Sequence, residues 1–318
     1  MCGGGIPAKF VVILQSRDEN MEDGSMNKVK KISLQLEDYL KEIKWIRVLC
    51  IPYYRVVRKA QNNKYENSVD GKRIRKFKQA YHGQKCFIIG NGPSLKLDDL
   101  EKIARLKEIE TFASNRIYNI FDKTFWRPDF YVAFEPYFVE ETMDAIGQLE
   151  VAEAKFINKV GKPHIQEKNN NIYWLNCFSK FMPERHTTSN IEFSTDLSKY
   201  VADAYTVTFT ALQLATYMGF SEIYLLGIDH FAQGKSFEHF YADKNTDYKT
   251  YTYVEGIEYG YRVAKTETEK RGIKVYNATR GGHLEVFDRV DFDEVVSKLD
   301  SERHYHHYRQ NIREECNQ

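Results

Sequence analysis

From Lys85 onward the chain alternates short apolar runs with stretches whose apolar positions recur at helical spacing. The runs fall at 85–89, 110–114, 129–134, 154–158, 172–176, 222–228 and 273–276, each of strand length. Several are apolar at consecutive positions, as in Cys86-Phe87-Ile88-Ile89. That is the mark of strands covered on both faces, as in a parallel sheet. Helical spacing is found near 97–106, 116–122, 137–148, 205–218, 254–271 and 291–299. Strand and helix in regular alternation predict an α/β fold, Rossmann-like and doubly wound, with a mostly parallel sheet. The polar stretches 177–204 and 230–252 interrupt the alternation, and the second reads as a lid insertion.

Before Lys85 the pattern changes. Residues 1–25 are Gly-rich and then acidic, and read as a disordered leader. Residues 26–80 form a basic helical segment, with Leu36, Leu40, Ile43, Ile46 and Leu49 on one face and Pro52 expected to stop or kink the helix. Between 41 and 80 stand twelve Lys and Arg against three acids, with Trp45, Tyr53 and Tyr54 among them. Such a helix suits peripheral contact with an anionic membrane surface, or it docks its apolar face on the main domain and points its charges at water. The main domain is expected over 81–300, and 301–318 as a polar tail.

Composition narrows this only a little. The 318 residues are 42% hydrophobic and 14% aromatic, enough for a large core. A net charge of +1 gives no reason to expect nucleic acid as a partner. Cys2, Cys50, Cys86, Cys177 and Cys316 show no zinc spacing. Their odd number fits a reducing compartment, so a cytoplasmic location is expected, at the inner face of the membrane if the basic segment binds there. No apolar run reaches the length of a membrane span.

Ligands of open α/β sheets bind beyond the carboxyl ends of the strands, so polar residues there are the candidates. After the first strand comes Gly90-Asn91-Gly92-Pro93-Ser94, a tight turn that departs from both the dinucleotide and the P-loop patterns. Asp98, with Glu101 three residues on, is expected to cap the helix that follows. Asn115 follows the second strand and Glu135 the third. Gly227, Ile228 and Asp229 end the sixth, where a carboxylate can take a ribose hydroxyl, hold a metal or simply form the turn. His230 and His239 lie beyond it as candidate general bases, and Arg280-Gly281-Gly282-His283 could bring a cation to a phosphate. No carboxylate spacing argues for a metal pair.

Cys86 to Leu95, Ala113-Ser114-Asn115 and Gly219 to Asp229 together resemble two related groups. One is the bacterial sialyltransferase family that decorates lipooligosaccharide from CMP-sialic acid. The other is the 6-hydroxymethylpterin diphosphokinase-like domain family of surface-polysaccharide loci, whose closing motif resembles Asn277 to Phe287. The first resemblance implies a metal-independent glycosyltransferase with a CMP-sugar donor, no other cofactor, and a glycan or lipid-linked acceptor. It implies that Gly90, Asn91, Gly92 and Ser94 hold the donor phosphate region and that Asn115 faces cytidine or its ribose. Thr206 would contact the donor, and Gly227, Ile228 and Asp229 would line the nucleotide. His239 would be the base, and Tyr241 would steady the leaving phosphate. The chain departs from the family at Thr206-Val207-Thr208, where Thr-Ser-Gly is usual, and in the tyrosines after Asp229. The alternatives are an ATP- and Mg-dependent phosphotransferase and a non-catalytic nucleotide-binding protein of a polysaccharide assembly system. A homo-oligomer is left open.

Overall fold

The computed structural model describes residues 44–151, 153–164, 171–177, 191–230 and 254–302. The leader at 1–25, the lid residues 231–252 and the tail beyond Glu302 lie outside the described residues. The chain divides into two compact units, Met1–Val56 and Val57–Gln318. The second begins inside the basic segment, and Tyr65 and Ile74 of that segment are part of its core.

Eight strands form one parallel sheet: β1 Lys85–Ile89, β2 Glu110–Ser114, β3 Phe130–Ala133, β4 Ala154–Asn158, β5 Ile172–Leu175, β6 Glu222–Leu226, β7 Lys274–Asn277 and β8 Asp288–Arg289. Their order is β5-β4-β3-β2-β1-β6-β7-β8. The chain therefore walks outward from β1 to one edge, returns, and walks outward again from β6. The helices are α1 Lys44–Glu66, α2 Val69–Arg75, α3 Leu97–Ala104, α4 Pro136–Gln148, α5 Val207–Met218, α6 Val254–Glu269 and α7 at 292–302. This is the Rossmann-like, doubly wound arrangement expected from the alternation of runs.

Alternate residues of β1 to β7 feed two cores. Cys86 and Ile88 of β1 join α5 and α6 on one face, while Phe87 and Ile89 join α3, α4 and α7 on the other. Much of the aromatic content is spent on the first face. There Phe130 meets Phe112 at 4.7 Å, Tyr81 at 5.4 Å and Phe156 at 6.0 Å between ring centroids. Phe77 and Tyr81, just after α2, lie in this cluster and bind the end of the basic segment to the sheet. The irregular stretch at 191–202 is held by one buried side chain. Gln213 of α5 accepts from Ser194 N and Ala202 N and donates to the Ala202 carbonyl.

Several local expectations need correction. Pro52 neither ends nor divides α1, which runs from Lys44 to Glu66. A proline removes one N–H and crowds one carbonyl, at a cost of about 3 kcal/mol. The second half of α1 has tertiary anchors that offset that cost: Tyr65 Oη donates to the Trp174 carbonyl at 2.5 Å, and Arg58 pairs with Glu192. The helix expected at 116–122 is a 3-10 turn over Asn115–Ile120. The run at 222–228 stops as a strand at Leu226, because Gly227 turns to φ +68°. The short strand β8 was not anticipated, since two residues carry no periodicity.

At the amino ends of the strands, burial and the nearby Asp129 and Glu153 push the Glu110 carboxyl up to about 7. A folded-state value above the unfolded one means stability that is present at low pH and lost as the pH rises through about 7. Glu110→Gln should therefore match the parent near pH 4 and exceed it in urea-midpoint stability at pH 8. Phe130→Ala should cost about 3–5 kcal/mol in the same titration, whereas Tyr137→Ala at an exposed position should change stability by less than about 0.5 kcal/mol.

Candidate functional site

β1 and β6 are neighbours in register, Ile89 opposite Leu226, so the tips beyond them lie side by side. This is where the strand order reverses direction, the place where an open α/β sheet leaves a crevice. Gly90 N donates to the Leu226 carbonyl at 2.8 Å and Gly92 N to the Gly227 carbonyl at 2.9 Å. A Cβ on Gly90 would come within 2.5 Å of the Gly227 carbonyl oxygen, and one on Gly92 within 1.8 Å of Asp229 Oδ2. These two glycines are required by the approach of one tip to the other. In the sequence they read as a tight turn, or as a place for a ligand to approach the backbone.

Asp229 is buried at the meeting point. Its Oδ2 accepts from Ser94 Oγ at 2.9 Å and from Ser94 N at 3.4 Å. Burial raises its pKa above the usual carboxylate value, while the Ser94 hydrogen bonds, His283 and Arg289 pull it back down. The loop after β7 closes over this tip. His283 N donates to the Asp229 carbonyl at 2.6 Å, Ile228 N donates to Thr279 Oγ1 at 3.1 Å, and Gly282, at φ +73°, lies against the Asp229 backbone. Arg289 holds that loop by donating to the carbonyls of Thr279, Gly281 and Gly282. Thr279 and Arg289 escaped notice in the sequence, where Thr279 lies inside the Asn277 to Phe287 block and Arg289 just beyond it.

The neighbouring strand end is joined to the same crevice. Asn91 Nδ2 donates to the Ser114 carbonyl at 3.0 Å, linking the β1 turn to the end of β2. The next residue, Asn115, takes φ +51°, and its backbone carbonyl accepts from Tyr131 Oη at 2.7 Å. Its side-chain Oδ1 is shielded from solvent and takes no hydrogen bond from any described residue. An oriented acceptor in such a position is suited to a ligand N–H or O–H.

On the other face Thr206 caps α5, its hydroxyl accepting from Thr208 N at 3.4 Å. The buried Tyr261 hydroxyl lies beside the side chains of Thr206 and Thr208. The His230 ring stands edge-on to Tyr261 at 5.8 Å, and burial lowers its pKa. Asn115, Tyr205 and His230 are three of the four non-glycine residues with positive φ among the described residues. All three lie at this end of the molecule, and such backbone strain concentrates at functional sites.

The comparison that assigns the chain follows from the same residues. A family model described as 6-hydroxymethylpterin diphosphokinase MptE-like matches residues 59–234, which takes in the β1 turn, Asn115, Thr206 and the β6 tip. The chain belongs to the MptE-like family. No curated protein matches it in sequence. Among solved structures, the MAf glycosyltransferase from Magnetospirillum magneticum AMB-1 is similar at 17% identity and a TM-score of 0.44. That match covers 70% of this chain and 38% of the other.

Within this MptE-like domain some candidates have other duties. The helix after the β1 turn starts at Leu97 with Lys96 at the capping position and no side-chain cap, so Asp98 does not form the expected box. Its neighbour Asp99 is buried and receives Arg280, Nε to Oδ2 at 2.9 Å and Nη2 to Oδ1 at 2.8 Å. Arg280 also reaches Asp293 at 2.8 Å. The guanidinium expected to meet a phosphate is instead the bolt between the β7 loop, α3 and α7. Glu135 accepts from Phe138 N at 2.6 Å and caps α4. No group of three or more metal-ligating side chains converges among the described residues. A cavity of about 490 Å³ opens at the opposite edge of the sheet, between Lys85, Glu110 and Leu299, away from the strand tips. His239 and Tyr241 lie outside the described residues.

Arg280→Ala should leave Asp99 buried and unpaired and cost about 3–5 kcal/mol in urea unfolding. Arg280→Lys should recover only part of this, since an ammonium cannot repeat the two-pronged contact.

Proposed function

We propose that the chain is a glycosyltransferase that works without a metal. It would move sialic acid or a similar acidic sugar from a CMP-activated donor to a glycan or lipid-linked acceptor in surface polysaccharide synthesis. The observation that carries this reading is the meeting of all the resembling blocks at one crevice. The β1 turn, Asn115, Thr206 at the start of α5 and the β6 tip all lie at the carboxyl edge, and the shielded Asn115 Oδ1 takes no hydrogen bond from any described residue.

In this reading the nucleotide lies across the β1 and β6 tips. Asn115 orients the base or ribose, and the N-terminus of α5 beside Thr206 offers N–H groups to the phosphate. The acceptor hydroxyl attacks the anomeric carbon and gives its proton to His239. The bond from that carbon to the phosphate oxygen breaks, and its electron pair leaves with CMP. Tyr241 donates a hydrogen bond to the departing phosphate.

The description of the family itself favours a second reading, diphosphoryl transfer from ATP with Mg²⁺. Asp229 and Glu135 are the carboxylates available near the tips, and both already serve other groups. Those hydrogen bonds speak against a magnesium site built on these two side chains.

Turnover of a CMP-linked acidic sugar with EDTA present, lost in His239→Ala while CMP binding persists, is the expected result. A fall of about 10²–10⁴-fold is the range for removal of a general base. Unchanged turnover would remove His239 from the mechanism, and activity seen only with ATP and Mg²⁺ would replace the first reading by the second.

A further inference from the structure

The first turns of the compact unit carry a surface that the crevice does not use. Between Val57 and Gln84 every exposed ionisable side chain other than His82 is cationic: Lys59, Lys64, Lys72, Arg75, Lys76 and Lys78. The two acids of this stretch, Glu66 and Asp70, are half-buried and taken up by Arg75, Lys199 and Lys162. Among the described residues none of the five lysines has an acidic partner, although the whole chain is almost neutral at +1.

α2 shows how this surface is presented. Gly71 and Ile74 face inward, and Ile74 is 1% exposed. Val69 and Lys72, with Lys76 just beyond the helix, recur at i, i+3 and i+7 on the outer face. Val69 is 73% exposed and lies one turn before Lys72 on this outer face.

We propose that this face docks on an anionic lipid bilayer. Its lysines would lie among the acidic headgroups and Val69 would enter the interface. Charge alone would suit any polyanion; an outward valine on the same face as lysines favours a surface with an apolar layer beneath its charge. Docking would hold the enzyme where a lipid-linked acceptor resides. The proposal itself needs no catalytic activity and stands apart from the transferase reading.

The test is co-sedimentation of the full chain with phosphatidylcholine vesicles and with vesicles containing about one third phosphatidylglycerol, at low and high salt. Binding is expected only to the anionic vesicles and should weaken steeply as salt is raised. Each lysine removed should weaken partitioning roughly fivefold, so Lys72→Gln/Lys76→Gln/Lys78→Gln should lose on the order of a hundredfold. Val69→Asp should weaken binding and Val69→Trp strengthen it, with thermal melting showing each variant folded. Equal binding to both vesicle types would overturn the proposal. So would undiminished binding by the triple variant, or binding to heparin or single-stranded nucleic acid with none to vesicles.

Discussion

Two strand tips, packed so closely that no side chain fits between them, govern the carboxyl edge of this sheet. Gly90 and Gly92 press on Gly227 and Asp229, and a methyl group at either of the first two would strike the other tip. Because β1 and β6 are the strands at which the winding reverses, this contact also forms the floor of the crevice. What surrounds it serves to hold it. Ser94 fixes the Asp229 carboxylate, the β7 loop clamps the Asp229 backbone, and Arg289 and Arg280 fasten that loop from opposite sides.

That arrangement separates support from recognition. Groups held by their neighbours, such as Asp229, Asn277 and Arg280, shape the site. Asn115 differs, with a shielded oxygen and a strained backbone at the end of β2. Strain and an unsatisfied acceptor cost stability, and both persist here only because Tyr131 and the neighbouring strands hold the residue in place. His230, beside Tyr261, shares the strained backbone, with φ +50°, and burial lowers its pKa.

The sheet could be read from the sequence because parallel strands buried on both faces are continuous apolar runs, as at Cys86–Ile89 and Tyr224–Leu226. The crevice could be placed because glycine turns follow those runs. Long-range charge pairing could not be read. Nothing local marks Asp99 as the partner of Arg280, far along the chain, and a carboxylate in the first turn of a helix looks like a cap. For the same reason Arg280 looked available to phosphate. Pro52 misled because local propensity names the cost of a proline, whereas the anchors at Arg58 and Tyr65 come from residues more than a hundred positions away.

The central claim is that a nucleotide monophosphate occupies the crevice between the β1 and β6 tips. Calorimetric titration of CMP into the full chain, Asn115→Ala and Ser94→Ala tests it most directly. Loss of a hydrogen bond to a ligand should weaken CMP roughly five- to tenfold in Asn115→Ala, from about 1–1.5 kcal/mol. Ser94→Ala should weaken it as well, by releasing the Asp229 carboxylate. Identical affinity in all three proteins, or no CMP binding where ATP with Mg²⁺ binds, would contradict the account.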